Sequence, residues 1–595
     1  MQALNPADER LSAAEVGMLW LAVALAVALM NWGSLDASFG SPDNVMRLVE
    51  VRGFLDGAPW FDPHEPRMAP PGGYDTHWSR LIDGGIAGLI LLFRPIVAPD
   101  LAERLARCIW PLLLSGPALA ASAAAAVRLG GAGAGRATLL SALLILIAAP
   151  GHFQPGEIDH HNAQIMLSLV LIACAFWSER PRLAAAAGLA GGLLLGVGLE
   201  ATHILLAVAA AFAWLAVDDP AWHRPARAFA LALGISTAVA YLIVAPSALR
   251  FAPQCDALAI NSALAVMLAA GGLATIATFG KRWTRAGRLT VLAFAGGLAL
   301  AVFAAIEPRC LRGPFGLIDR SIFHLWLDNV AEVQGLTALF HATGLQTLVH
   351  IGFPVVAALC TFLVVRAGLP TPLAWSSVAA LAVSALIAAG QIRMIVYVVW
   401  LGLPFVGAVV HHLSRRTAYP FLARAGTAAV LSPPMVSLLI LSAVTAFAQT
   451  TNGGAKPQPT AQWAVDASPC FRPEHYGAVA MLPAGLVMGA LELGPSVLAH
   501  TRHSVVAVPY HRAGDAIRFN EETMRGTSAD ARIRLTVRGV DYVLTCRDFP
   551  ASAQADAFFN ALLADSAGDW LEPLPMPAGN LLKIWRVQKS VISNQ

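Results

Sequence analysis

At 595 residues, 57% of them hydrophobic and 13% charged, the chain is more apolar than soluble globular proteins, whose charged share is about 25%. Mean hydropathy is +0.62. The formal net charge of +3 is spread among short loops, which argues against nucleic acid as a partner and leaves a polytopic α-helical membrane protein.

The first apolar run, Val16–Met30, has the length of a signal-peptide core. Asp8 and Glu9 precede Arg10, so the run lacks a basic lead-in and reads as a retained first helix. A polar interval rich in Pro, Gly, Trp, Asp and Arg follows, from Asn31 to about Asp83. Apolar runs then recur near 86–97, 105–127, 137–149, 163–177, 183–198, 201–217, 227–247, 258–279, 288–306, 346–365, 372–390, 394–410 and 428–448. The run near 86–97 is short and reads as a partly embedded helix. That leaves about thirteen spans by the hydropathy window.

Basic residues fall in alternate short loops: Arg128 with Arg136, Arg180 with Arg182, Arg224 with Arg227, Lys281 to Arg288, Arg366, and Arg415 to Arg424. The positive-inside rule makes those loops and the N-terminus cytoplasmic. The intervals 31–85, 150–162, 248–257, 307–345 and everything after about 449 then lie outside, in the periplasm of a bacterial inner membrane. Cys108, Cys174 and Cys360 sit inside spans as small apolar residues. Cys255, Cys310, Cys470 and Cys546 lie in outside segments, which suggests disulfides; Cys255–Cys310 and Cys470–Cys546 are the simplest pairing.

The chain therefore divides into a membrane part, 1–449, with long outer loops at 31–85 and 307–345, and a tail, 450–595. The tail opens with the linker-like Gly453–Pro457. Strand-like runs at Ala478–Leu482, Val505–Val508, Asp541–Thr545 and Leu581–Arg586 alternate with helical stretches such as Ala553–Leu563. This pattern predicts a small α/β domain.

Chemistry concentrates in the outside loops. Pro155-Gly156-Glu157-Ile158-Asp159-His160-His161-Asn162 puts two acids and two imidazoles at a membrane boundary. Such residues are expensive to bury, and a carboxylate with an imidazole two positions on can share one divalent cation. The alternative is a helix cap with headgroup-level histidines. Asp43, in Ser41-Pro42-Asp43-Asn44, caps a helix or joins that site. Glu332 lies among apolar neighbours in Asn329-Val330-Ala331-Glu332-Val333. Arg393, in Gln391–Tyr397, either snorkels at a helix mouth or holds a polar substrate group. Near the C-terminus, His500-Thr501-Arg502-His503 and Tyr510-His511-Arg512 form a donor-rich run.

The order of these motifs resembles the oligosaccharyltransferase catalytic subunits and, more broadly, the GT-C glycosyltransferases, over about residues 15–450. Asp159-His160-His161 is similar to that family's second acidic motif. Asn329–Glu332 and Arg393–Tyr397 are similar to its glutamate and Arg-Phe-x-x-Tyr motifs, with Met394 in place of Phe. The Trp-Trp-Asp motif is absent; the tail has only isolated Trp463, Trp570 and Trp585. The resemblance implies a GT-C-like membrane fold of about thirteen helices with an extracytoplasmic α/β domain. It also implies transfer of a sugar or oligosaccharide from a polyprenyl-phosphate or -pyrophosphate donor. The acceptor would be a periplasmic glycan, lipid or protein, and the missing Trp-Trp-Asp argues against an asparagine sequon.

On this reading Mn²⁺ or Mg²⁺ is held by Asp43, Asp159 and His161. Asp43 also orients or deprotonates the acceptor, and Glu332 helps to hold it. Arg80, Arg309 and Arg312 meet the donor phosphate. Arg393, His503, His511 and Arg512 bind the acceptor. The alternative is a transporter or flippase of lipid-linked saccharide. No internal repeat is present, however, and the ionisable residues gather at one face instead of mid-span.

Overall fold

The computed structural model describes residues 11–35, 41–148, 151–451 and 468–588. The linker at 453–457, Trp463 and the acidic pair before Arg10 lie outside these. Seven helices are long and apolar enough to cross a membrane, and eight if the bent pair Pro420–Val430 and Pro433–Ala448 is one span. Five further apolar helices of 10–17 residues stand among them: Ala132–Ala148, His161–Phe176, Pro181–Val197, Thr202–Asp218 and Ala374–Gly390. The count of about thirteen spans includes these shorter five. The 59° bend falls at Ser432-Pro433-Pro434, where proline removes donors and pushes its predecessor out of helical geometry.

Small residues let the helices approach. A Cβ on Gly188 would stand 2.3 Å from the Phe229 carbonyl, and one on Gly192 would stand 2.0 Å from Ser236 Oγ. The helices Pro181–Val197 and His223–Val244 are thereby held in close contact, as helices are in lipid, where small residues substitute for a hydrophobic drive.

The tail forms a five-stranded sheet in the order β4-β3-β5-β7-β6, with β3 Leu486–Gly489, β4 Ser504–Val505, β5 Tyr542–Cys546, β6 Leu571–Pro573 and β7 Leu582–Val587. The pairs β3/β4 and β3/β5 are parallel; β5/β7 and β6/β7 are antiparallel. The expected strand at Ala478–Leu482 is instead a helical turn, Gly477–Ala480, and β3 begins only after Pro483. The strand β6 was not anticipated. Cys255 is bonded to Cys310, and Cys470 to Cys546.

The sheet does not stand apart from the outer loops. A two-stranded ribbon, β1 His64–Glu65 and β2 Tyr74–Asp75, shapes the first loop. Beside it, Ala69 N donates to Val505 O at 2.8 Å, and Val505 N donates to Arg67 O at 2.9 Å. The loop thus extends the sheet past its β4 edge. One core mixes Met46, Met68, Tyr74 and Trp78 with Tyr476, Val497 and Tyr510. Another mixes Ile322, Trp326 and Leu327 with Val506, Ile517 and Trp585. Both outer loops are therefore fixed to the C-terminal unit.

Candidate active site

Asp43 owes its position to local helix chemistry. Ser41 Oγ accepts from Asn44 N at 3.4 Å and Pro42 takes the first turn of the helix Pro42–Leu55, so Asp43 stands at the positive end of the helix. The next residue clamps the second motif. Asn44 Oδ1 accepts from the backbone N–H groups of Ile158 at 2.8 Å and Asp159 at 3.0 Å, while its Nδ2 donates to Glu157 Oε2 at 3.0 Å. Residues more than a hundred positions apart are thereby brought together.

Asp159 is buried, with Oδ1 2.6 Å from His160 Nδ1 and Oδ2 3.3 Å from His161 Nε2. His161 Nδ1 lies 2.9 Å from Glu200 Oε2. The ring is held between two carboxylates, Glu200 at Nδ1 and Asp159 at Nε2, and a carboxylate on one ring nitrogen is the usual support of a metal-ligating histidine. The ligand atoms of Asp159, His160 and His161 all fall within 4.8 Å of one another. Against the cost of burial, the charges of His160 and His161 hold the Asp159 carboxyl well below its ordinary range. Burial first, and then the carboxylates of Asp159 and Glu332, push Asp43 up to about 8. The clustered carboxylate and imidazoles of Asp159, His160 and His161 fit a divalent cation, whose charge would also relieve the penalty on Asp43, although Asp43 itself stands outside that cluster.

Beneath these groups lies a knot of buried charge. Arg47, fully buried, donates to Asp83 Oδ1 at 2.8 Å and its second NH lies 3.5 Å from Asp159 Oδ1. Arg80 donates to Asp83 Oδ2 at 3.0 Å and to Asp62 O at 3.2 Å.

The site opens into a cavity of about 740 Å³. Asp43, His160, His161, Glu200, Glu332 and Arg393 supply its polar wall, and Trp326, Val330, Val333, Ile387 and Met394 its apolar wall. Arg393 NH1 lies 3.7 Å from Glu332 Oε1. The helix behind it is anchored by Tyr397, whose hydroxyl donates to Gln164 Oε1 at 3.1 Å.

The expected phosphate-binding arginines are elsewhere. Arg80 is spent in the charge knot. Arg309 is held by Glu307 at 2.8 Å and, like Arg312, points outward. Arg393 is the one Lys or Arg on the cavity wall among the described residues. The expected acceptor run is likewise divided. His503 is buried, with Nδ1 accepting from Gly485 N at 3.1 Å and Nε2 donating to Val479 O at 3.0 Å; it belongs to the interior of the C-terminal unit. Arg512 donates to both Asp256 oxygens, at 2.8 and 2.7 Å. Only His511, with Tyr510, reaches the cavity. Asn44, Arg47 and Glu200 were not singled out as site residues in the sequence, because their partners lie far off along the chain.

No protein-family model and no curated protein sequence matches the chain. Solved structures do. The archaeal oligosaccharyltransferase AglB from Archaeoglobus fulgidus, in complex with an inhibitory peptide and a dolichol-phosphate, superposes with TM-score 0.58 at 14% identity, over 89% of this chain and 69% of that one. It has the oligosaccharyltransferase fold. The Archaeoglobus fulgidus enzyme in complex with zinc and sulfate gives TM-score 0.55 at 15% identity, over 90% and 68% of the two chains. The form tethered to an acceptor peptide with an NVT sequon gives 0.56 at 15%, over 89% and 69%.

Proposed function

We propose that this chain is a metal-dependent membrane glycosyltransferase that takes a sugar or oligosaccharide from a polyprenyl-phosphate or -pyrophosphate donor. The observation that carries this reading is the convergence of Asp43, His161, Glu332 and Arg393 on one cavity with an apolar flank, with Asp159 buried directly behind His160 and His161. The solved structures of this fold with dolichol-phosphate and with zinc support it. On this reading residues 1–449 form the catalytic membrane part and 450–595 a periplasmic unit, with the cavity on the periplasmic side of a bacterial inner membrane.

Asp43, Asp159 and His161 would hold the Mn²⁺ or Mg²⁺, with Glu200 orienting His161. When bound, the cation offsets the negative charge that develops on the departing phosphate oxygens. Arg393 donates to the same phosphate through its forked N–H groups. Trp326, Val330 and Met394 keep water from the donor's first isoprene units. The acceptor's nucleophilic atom attacks the anomeric carbon while the bond to phosphate breaks and the phosphate keeps the electron pair. Asp43 orients the acceptor and takes its proton. Glu332 and His511 border the space where the acceptor enters.

The acceptor is a glycan, lipid or protein other than an asparagine sequon, since the indole pair that would read one has no counterpart in the sequence. The test is transfer of labelled sugar from a polyprenyl donor to envelope extracts by the purified protein. Transfer should vanish in excess chelator and return with Mn²⁺. Undiminished turnover in chelator would refute metal dependence, and rapid glycosylation of a short Asn-x-Thr peptide would refute the acceptor assignment.

A further inference from the structure

A second group of ligand-type side chains lies about the same cavity and shares only His511 with the residues just described. His77 comes from the first outer loop, Asp256 from the loop beside the Cys255–Cys310 bridge, and His511 from the C-terminal unit. One ligand atom from each falls within 4.8 Å of the other two. The two imidazole rings are 4.5 Å apart between centroids, and His511 Nε2 is 2.6 Å from Asp256 Oδ2.

His77 is the informative member. Its Nδ1 is buried and has no hydrogen-bond partner, and a buried polar atom of that kind calls for an unseen ligand or a price in stability. Asp256 is oriented from behind. Arg512 grips both carboxylate oxygens and also donates to Thr76 O at 3.2 Å, next to His77. The guanidinium fixes the plane of the carboxylate, and Oδ2, shared by Arg512 Nε and His511 Nε2, is the oxygen nearer the imidazoles, the kind of support that ligating carboxylates ordinarily have.

We propose that His77, Asp256 and His511 form a zinc site that pins the C-terminal unit to the first outer loop and to the disulfide-bonded loop. Two imidazoles and a carboxylate are a zinc donor set, with cavity water in the fourth position. Imidazole also selects zinc over magnesium or calcium, which prefer an all-oxygen shell. The three ligands come from three separate stretches of chain, so the bound ion fixes the roof of the cavity. The site is independent of the glycosyl-transfer reading, and its test is run where that reading has no influence.

The experiment uses the purified full-length protein in detergent, with Asp159→Ala and His161→Ala introduced together to remove the other cation site. Zinc is titrated in competition with a chromogenic chelator, and metal content is measured after dialysis. The double variant is expected to keep one zinc equivalent. Adding His77→Ala should abolish it, as should adding His511→Ala. Arg512→Gln should weaken binding by roughly 10–100-fold, the range for a lost supporting contact. His77→Ala removes no hydrogen bond from Nδ1, so it keeps the test decisive even where His511→Ala misfolds. Cobalt in place of zinc should give the visible bands of tetrahedral coordination and lose them with His77→Ala. Absence of zinc from the double variant, or zinc retained unchanged after His77→Ala, overturns the proposal.

Discussion

Two regions of this molecule are built from the same residue types and put them to opposite uses. Around Asp159, Asp43 from a helix start, His160 and His161 from the loop, and Glu200 from a turn line a shared cavity. Along 500–512, histidines and arginines equally dense in the sequence mostly turn away. His503 satisfies two backbone groups inside the C-terminal unit, and Arg512 is consumed by Asp256. Density of polar side chains therefore says little about function. What separates the regions is whether the polar atoms have already been satisfied by the fold.

The largest effect is expected where that contrast is sharpest. On the proposed reading, Asp159→Ala or Asp43→Ala would remove a cation ligand whose electrostatic contribution is several kcal/mol in the transition state, roughly a 1,000-fold loss or more in kcat. The protein should still elute as a monodisperse species with its tryptophan spectrum intact. A variant retaining a tenth of wild-type turnover would place the chemistry elsewhere.

Arg47→Leu probes the charge knot beneath the site. The change leaves Asp83 with Arg80 alone and takes the cation from beside Glu50; removing one partner of a buried pair costs about 3–5 kcal/mol, so a sharp fall in melting temperature or a loss of expression is expected. Equal stability would show that water reaches Asp83.

Glu200→Gln tests the support of His161. Loss of such a partner weakens metal affinity by roughly 10–100-fold, which a Mn²⁺ titration of activity would show as a shifted midpoint with kcat restored at saturation. Arg393→Ala has a comparable expected size, since a hydrogen bond to a charged group is worth about 1.5–3 kcal/mol. It should appear in the KM for the donor, whereas Arg309→Gln should leave that KM alone, because Arg309 is exposed and already paired with Glu307.

Much of the membrane part is legible in the sequence, because a run such as Val16–Met30 or Arg285–Ile306 has no soluble alternative that satisfies its backbone. The Asp-His-His stretch is legible for the complementary reason: its charges interrupt apolar surroundings. What is not legible depends on contacts distant in sequence. Asn44 looks like any helix-start residue until Ile158 and Asp159 are seen bonded to it, and Glu200 looks like a turn until His161 lies beside it. Arg309 misleads because its partner, Glu307, is two positions away and reads as solvent-exposed charge. The strand expected at Ala478–Leu482 fails because Pro483 closes the run before a ladder can form, leaving a helical turn.

The smallest effect is the one that sharpens the comparison most. If the 500–512 run were an acceptor surface, substituting His503 would raise the acceptor KM and leave the fold alone. The structure gives the reverse. His503 is 1% exposed and joins Gly485, at the start of β3, to Val479 in the preceding turn. His503→Ala leaves the half-buried Gly485 N–H without its partner and takes one donor from the Val479 carbonyl, which keeps Leu482 N, a cost of about 1–3 kcal/mol. It falls on the strand that carries the first outer loop against the sheet. A lower melting temperature is therefore expected, with acceptor KM unchanged at temperatures where the variant is folded. His503→Gln, which can restore one of the two bonds, should recover part of the stability. A raised acceptor KM at unchanged melting temperature would return His503 to the acceptor side of the molecule.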